Sequence, residues 1–220
     1  MMMKCPVLTE EQAASIEDFL KLQQWEDNIL SNMCRNKQIL MGDGNHDADE
    51  QMENLLGSII GSQIFNTCTI PKNFGRPAFN RYDVGDEYRM HSDAAFVGND
   101  PEVRTDFAVT LFLSAPSSYS GGELILRTPT GTTTKIKEPA GTLVFYPAGL
   151  MHRVDPVASG TRFAFVGWVE SHIQDVQKRD IMVEMAMACD ELGHVPGLND
   201  LSQRFQSILQ NLYRQWMKIT

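Results

Sequence analysis

The sequence predicts an α+β chain, with a core of short β-strands closed into a sandwich or barrel and helices before and after it. Three observations carry this. Apolar residues recur at helical spacing in the first third of the chain and again after Gln174. Between those regions, short β-type runs are broken by Gly, Pro, Ser and Asn at close intervals. The length of 220 residues suits one single-core domain with small appendages.

Taken in order, Thr9 to Gln12 (T-E-E-Q) reads as a capping box, and Ala13, Ile16, Leu20 and Trp25 continue a helical period behind it. A second helix is predicted from near Asp49, where Met52, Leu55, Leu56, Ile59, Ile60, Gln63 and Ile64 share one face. From about Pro77 strands are predicted over 78–83, 106–114, 123–128, 132–137, 142–146, 152–156 and 162–170. Turns at Ser120-Gly121-Gly122, Pro129-Thr130-Gly131 and Ala158-Ser159-Gly160 separate them. The helical period returns in Val176, Met182, Val183, Ala186, Cys189 and Leu192, stopped by Gly193. A last helix is predicted behind an Asp200 N-cap, with Leu201, Phe205, Leu209, Leu212 and Trp216 on its apolar face. The expected organisation is a helical support over 1–74, the β core over 75–174, and C-terminal helices over 175–220 packed on that core.

With 19 Lys and Arg against 28 Asp and Glu, the net charge is −9. That argues against a partner such as nucleic acid or an anionic membrane, because phosphate binding runs on Lys and Arg. No run approaches the roughly 18 apolar residues of a membrane span, and the first residues contain no secretory apolar stretch. Cys5, Cys34, Cys68 and Cys189 lie far apart, too few for a disulfide scaffold and wrongly spaced for structural zinc. A reduced, cytoplasmic protein is expected.

The residues that carry chemistry begin with His91 and Asp93. On extended backbone, i and i+2 project to the same side, so an imidazole and a carboxylate stand together. They become a facial triad for Fe(II) only if a second histidine joins them. His152, opening a later strand, is available. Ten positions beyond it, Arg162 opens the apolar run Phe163-Ala164-Phe165-Val166-Gly167-Trp168. A buried arginine needs an anion, because an unpaired buried charge is costly. That anion is either a carboxylate of this acidic chain or the carboxylate of a bound dicarboxylate.

At this point the sequence resembles the 2-oxoglutarate- and Fe(II)-dependent dioxygenases of the prolyl 4-hydroxylase type. The run Tyr-x-x-Gly-x-x-Tyr-x-x-His-x-Asp is present in full as Tyr82, Gly85, Tyr88, His91 and Asp93. Phe79-Asn80-Arg81-Tyr82, Thr110-Leu111-Phe112-Leu113-Ser114, Tyr119-Ser120-Gly121-Gly122-Glu123-Leu124 and Leu143-Val144-Phe145-Tyr146-Pro147 narrow the likeness to the bacterial PKHD-type hydroxylases. The resemblance implies a double-stranded β-helix (jelly-roll) core. It implies that His91, Asp93 and His152 hold iron, that Arg162 binds the far carboxylate of 2-oxoglutarate, that Tyr82 lies beside the cosubstrate, and that Trp168 lines its pocket. Tyr88 is expected to be a packing residue. The chain departs from animal prolyl hydroxylases at Phe112, which stands where they place a cosubstrate-binding tyrosine; Thr110 or water is the expected substitute.

The implied reaction is hydroxylation of a C–H bond with release of succinate and CO2. Its cofactors and cosubstrates would be Fe(II), 2-oxoglutarate and O2, with L-ascorbate as reductant. The implied substrate is a peptide or protein residue, proline among them, or a small metabolite. A homodimer through the terminal helices is expected. The alternative is a non-catalytic jelly-roll scaffold with a vestigial iron site, which would have no need of all four of His91, Asp93, His152 and Arg162. Residues 43–54 resemble the start of a calcium loop, but Ala48 and Asn54 occupy the positions that need Gly and Glu. His46, His172 and His194 have no partner at ligand spacing.

Overall fold

The structure is a computed structural model that describes residues 2–27, 34–35, 38–41, 45–98 and 102–217. The N-terminal region contains β1 (Met3–Pro6), α1 (Glu10–Lys21), β2 (Glu26–Asp27), β3 (Cys34–Arg35), β4 (Gln38–Leu40), α2 (His46–Ile60) and α3 (Gln63–Thr69). There follow β5 (Pro71–Tyr82), β6 (Glu87–His91), β7 (Phe96–Val97), β8 (Val103–Arg104), β9 (Phe107–Phe112) and β10 (Ser120–Gly121). Then come β11 (Leu124–Arg127), β12 (Thr133–Ile136), β13 (Thr142–Pro147), β14 (Met151–Val154), β15 (Val157–Ser159) and β16 (Arg162–Ser171). The chain closes with α4 (Val176–Gly193) and α5 (Asn199–Trp216).

The strands form two main antiparallel sheets, the two layers of a jelly roll. One has seven strands in the order β1-β13-β9-β16-β5-β4-β2, and the other five in the order β12-β11-β14-β6-β3. The seven-stranded sheet sorts its side chains by parity. Phe163, Phe165, Phe79, Val109, Leu111, Leu143 and Phe145 face outward into one apolar core with Ile16 and Leu20 of α1, Leu55 and Ile59 of α2, and Phe65 of α3. The alternate residues, including Ala108, Phe112, Val144 and Tyr146, face inward toward Leu124, Leu126 and Ile136 of the smaller sheet.

The helices are held as their caps dictate. Thr9 and Gln12 make the reciprocal capping box of α1. That helix stops at Lys21, so Trp25 lies beyond it; its indole donates to the Leu20 carbonyl at 3.1 Å and its ring packs on Phe163. The second predicted helix is two. Asn45 caps α2, Gly61 ends it, and Ser62 caps α3, so Gln63 and Ile64 belong to the second piece. Asp43 and Gly44 of the rejected calcium loop lie outside the described residues. The N-terminal region is also less helical than predicted, because β1, β2 and β4 extend the seven-stranded sheet and β3 extends the other.

Asp175 caps α4, and Arg179, Met182, Val183 and Cys189 are its buried residues. The N-cap of α5 is Leu198, without a side-chain bond, and not Asp200; Asp200 sits in the first turn, where a negative charge favours the helix dipole. Ser202 instead ties α5 to α4 by donating to the Cys189 carbonyl. Cys5, Cys68 and Cys189 carry free, buried thiols. Among the described residues, no helix is long and apolar enough to cross a membrane.

Candidate metal centre

His91 and His152 are direct cross-strand partners on β6 and β14, and their rings lie 4.2 Å apart between centroids. Asp93 follows two residues after β6. Its backbone N–H donates to Ala148, and the Ala148 N–H donates to Asp106, so this loop is tied to the seven-stranded sheet. The Asp93 Oδ1 stands 3.6 Å from the Nε2 atoms of both histidines. Among the described residues this is the group of His, Cys, Asp and Glu whose ligand atoms converge, all within 4.8 Å of one another.

The second ring nitrogens fix what the first ones present. His91 Nδ1 lies 2.8 Å from the Arg89 carbonyl, and His152 Nδ1 lies 2.9 Å from that of Leu150. A carbonyl only accepts, so each Nδ1 carries the proton and each Nε2 offers a lone pair to the centre of the group. At 3.6 Å the Nε2–Oδ1 separations are too long for hydrogen bonds. They suit donors sharing one ion, since bonds of about 2.1 Å put neighbouring ligands roughly 3–4 Å apart. His91 Nε2 and Asp93 Oδ2 are buried with no hydrogen-bond partner. Two imidazoles and a carboxylate, aimed at one point, fit an Fe(II) ion held on one face.

A β-bulge shapes the same place. Between the His152–His91 and Val154–Tyr88 pairs, β6 holds one residue more than β14. Strict alternation would put Tyr88 and His91 on opposite sides. The bulge brings both inward, and Tyr88 stacks on His91 with centroids 4.0 Å apart. Tyr88, expected to be a packing residue, therefore lines the site cavity.

That cavity has an empty volume of about 530 Å³ including its open mouth. Its polar lining comes from Arg162, Tyr82, Asn80, Thr110, Tyr146 and Trp168. The register explains the set, because Arg162 pairs with Tyr82, Ala164 with both Asn80 and Phe112, and Trp168 with Ala108. All share the inward face. Small residues at Ala108 and Ala164 leave room above the sheet.

Arg162 is 1% exposed, and its Nε and Nη2 have no hydrogen-bond partner. Its guanidinium lies 5.2 Å from the ring centres of Tyr82 and Phe112. Among the described residues no carboxylate pairs with it, so the cation fits a carboxylate brought by a ligand. Behind it the backbone is close: a Cβ on Gly122, at φ +66°, would meet the Arg162 Cδ at 3.1 Å. The buried Tyr119 hydroxyl also lies beside Arg162; burial raises its pKa, and the cation works against that rise. Trp168 Nε1 and Asn80 Oδ1 are buried without partners as well.

The sequence reading did not single out Asn80 and Tyr146 as site residues. Tyr146 is deeply buried, edge-on to His152 with centroids 5.2 Å apart. Burial and the nearby Asp93 charge raise its pKa well above the ordinary phenol value, and a hydrogen bond with Thr110 pulls the other way. His46 and His194 stand outside the site: His46 lies beside Asp47 at the start of α2, and His194 Nδ1 lies 2.7 Å from the Asp190 carbonyl.

A jelly roll whose interior holds two histidines, one carboxylate and a buried arginine defines a non-haem iron oxygenase, and comparison with known proteins agrees. Residues 77–170 match the 2OG-Fe(II) oxygenase superfamily. The fold is similar to a Pseudomonas putida prolyl-4-hydroxylase, with TM-score 0.56 and 20% identity over 77% of this chain and 92% of that one. The sequence is 31% identical over 223 residues to the PKHD-type hydroxylase YbiX of Shigella flexneri, covering 97% of each chain. It is 30% identical over 222 residues to a PKHD-type hydroxylase of Acidovorax ebreus (strain TPSY), covering 96% of each. The chain belongs to the PKHD-type hydroxylases, enzymes of the 2-oxoglutarate- and Fe(II)-dependent oxygenase superfamily.

Proposed function

We propose that His91, Asp93 and His152 hold the iron of this hydroxylase and that Arg162, Tyr82 and Trp168 receive 2-oxoglutarate. The observation that carries it is the pair of Nε2 lone pairs and the Asp93 carboxylate turned on one buried point. Bound there, Fe(II) with 2-oxoglutarate and O2 supplies hydroxylation of a substrate C–H bond, with succinate and CO2 as co-products.

The chain's own residues bind, orient and exclude water. The backbone carbonyls of Arg89 and Leu150 hold the two imidazoles in the ligating tautomer. Arg162 supplies two parallel N–H donors to the far carboxylate, which fixes that end of the cosubstrate. The rings of Tyr82, Tyr88 and Trp168 wall the cavity and keep bulk water from the reacting centre. A peptidyl residue, with proline first in view of the similar prolyl-4-hydroxylase, is the substrate class this reading favours over a metabolite. L-Ascorbate is the reductant it implies, and buried free thiols suit a cytoplasmic setting. The span 75–174 is the catalytic core, and 1–74 and 175–220 support it.

Anaerobic addition of 2-oxoglutarate to the Fe(II)-loaded protein tests the reading. A weak visible charge-transfer band, followed by succinate on admission of O2 with a peptide panel, is expected. Neither band nor succinate would leave the scaffold alternative.

A further inference from the structure

We propose that Tyr146 donates the second protein hydrogen bond to 2-oxoglutarate, at its 2-oxo-acid end and not at the end held by Arg162. This rests on the assignment of the cavity given above. Arg162 alone cannot define how the acid lies, because it grips one end only. At the Arg162 end Phe112 has no hydroxyl and packs its ring against the guanidinium, while the buried Tyr119 hydroxyl lies beside that cation. For the other end, the strand next to β9 supplies the phenol of Tyr146.

The register says which end that phenol serves. Tyr146 pairs with Ala108, and Ala108 pairs on its other side with Trp168. Trp168 lies six residues along β16 from Arg162, on the same inward face. Tyr146 therefore belongs to the row farthest from Arg162, and its ring is edge-on to His152. Ala108, between Tyr146 and Trp168, is small enough to leave open space above it. On the adjacent strand the Thr110 hydroxyl is within hydrogen-bonding reach of the phenol oxygen. A phenol oxygen takes part in more than one hydrogen bond, so in this proposal Tyr146 accepts from Thr110 and donates its O–H to a further acceptor. In this cavity the near carboxylate or the keto oxygen of the cosubstrate is the acceptor a ligand brings.

Tyr146→Phe removes one oxygen and keeps the ring against His152. Calorimetric titration of Mn(II)-loaded protein measures binding without turnover, using 2-oxoglutarate and 2-oxobutyrate, which shares the 2-oxo-acid end but lacks the far carboxylate. Tyr146→Phe should weaken both acids by roughly the same factor, about tenfold. Its Mn(II) affinity without cosubstrate should match the wild type. Thr110→Val should weaken both acids by a smaller factor, and Arg162→Ala should weaken 2-oxoglutarate alone. A Tyr146→Phe loss confined to 2-oxoglutarate would place the phenol at the Arg162 end and overturn the proposal. Unchanged binding of both acids would reduce Tyr146 to packing and also overturn it. If Mn(II)-loaded wild type binds neither acid, the assignment of the cavity falls with it.

Discussion

The two faces of the seven-stranded sheet are built from alternate residues of the same strands. Outward, Phe79 and Phe165 meet edge to face with centroids 5.6 Å apart, both fully buried, in a core closed by helices α1 to α4. Inward, the same strands place Asn80, Tyr82, Ala164 and Arg162; Asn80 Oδ1 and Arg162 Nε and Nη2 have no partner, and a cavity opens above them. One face satisfies itself and the other waits for ligands. The outer face should therefore govern stability, and the inner face, with the two histidines opposite, binding and turnover.

Substitutions that break this division rank by expected size. Asp93→Ala and His152→Ala remove one of three donors; each should abolish turnover and leave little bound iron, measured by metal analysis after desalting, with thermal stability of the metal-free protein nearly unchanged. Retention of wild-type iron by either variant would move the metal site elsewhere. Phe165→Ala on the outer face should cost about 3–5 kcal/mol in denaturant unfolding. At temperatures where that variant stays folded, its KM for 2-oxoglutarate should match the wild type. Arg162→Ala should raise that KM more than tenfold, in line with roughly 2–5 kcal/mol for truncating one partner of a buried charge pair. Iron binding should persist, and Arg162→Lys should fall between.

The smallest effect lies on the outer face. Burial, with a minor contribution from Cys5, pushes the Cys68 thiol up from 9.0 to about 11. The folded protein thus holds this proton more tightly than the unfolded chain. Its contribution to stability is complete below pH 9 and fades as pH rises toward 11. Cys68→Ser should flatten that part of the stability profile, and native Cys68 should resist iodoacetamide at pH 8, as followed by peptide mass spectrometry.

Much of this was legible in the sequence where local rules decide. Spacing made His91, Asp93, His152 and Arg162 candidates, the family resemblance joined them into one site, and the Thr9 box follows from four residues. What was not legible depends on pairing. The strand β5 starts at Pro71 and not at 78, because Gly75 and Pro77, which read as breakers, lie within its long pairing with β16, where a bulge is absorbed near Gly75. Tyr88 points inward only because of the β6 bulge. Tyr146 sits in a run that reads as uniformly apolar; its parity with Val144, opposite to Phe145, was the one signal, and it has meaning only once the cavity side is known. Gly61 divided a helix whose apolar period ran on to Ile64 with Gln63 as its one polar member.

The double glycine at the turn before β11 has a consequence for selectivity. At Gly121 a Cβ would meet the Pro156 carbonyl at 2.2 Å, and at Gly122 it would press on the Arg162 side chain. Bare backbone can approach the arginine from behind, so main chain and not a movable side chain sets where the guanidinium stops. The proposed iron-binding imidazoles are held as well, His91 by the Arg89 carbonyl and His152 by that of Leu150. The distance between the imidazoles and the guanidinium is thus a rigid gauge of acid length. It should admit the five-carbon acid while four-carbon oxaloacetate falls short of the guanidinium and six-carbon 2-oxoadipate overruns it, and Gly122→Ala, by pushing the arginine forward, should move the preference toward the shorter acid.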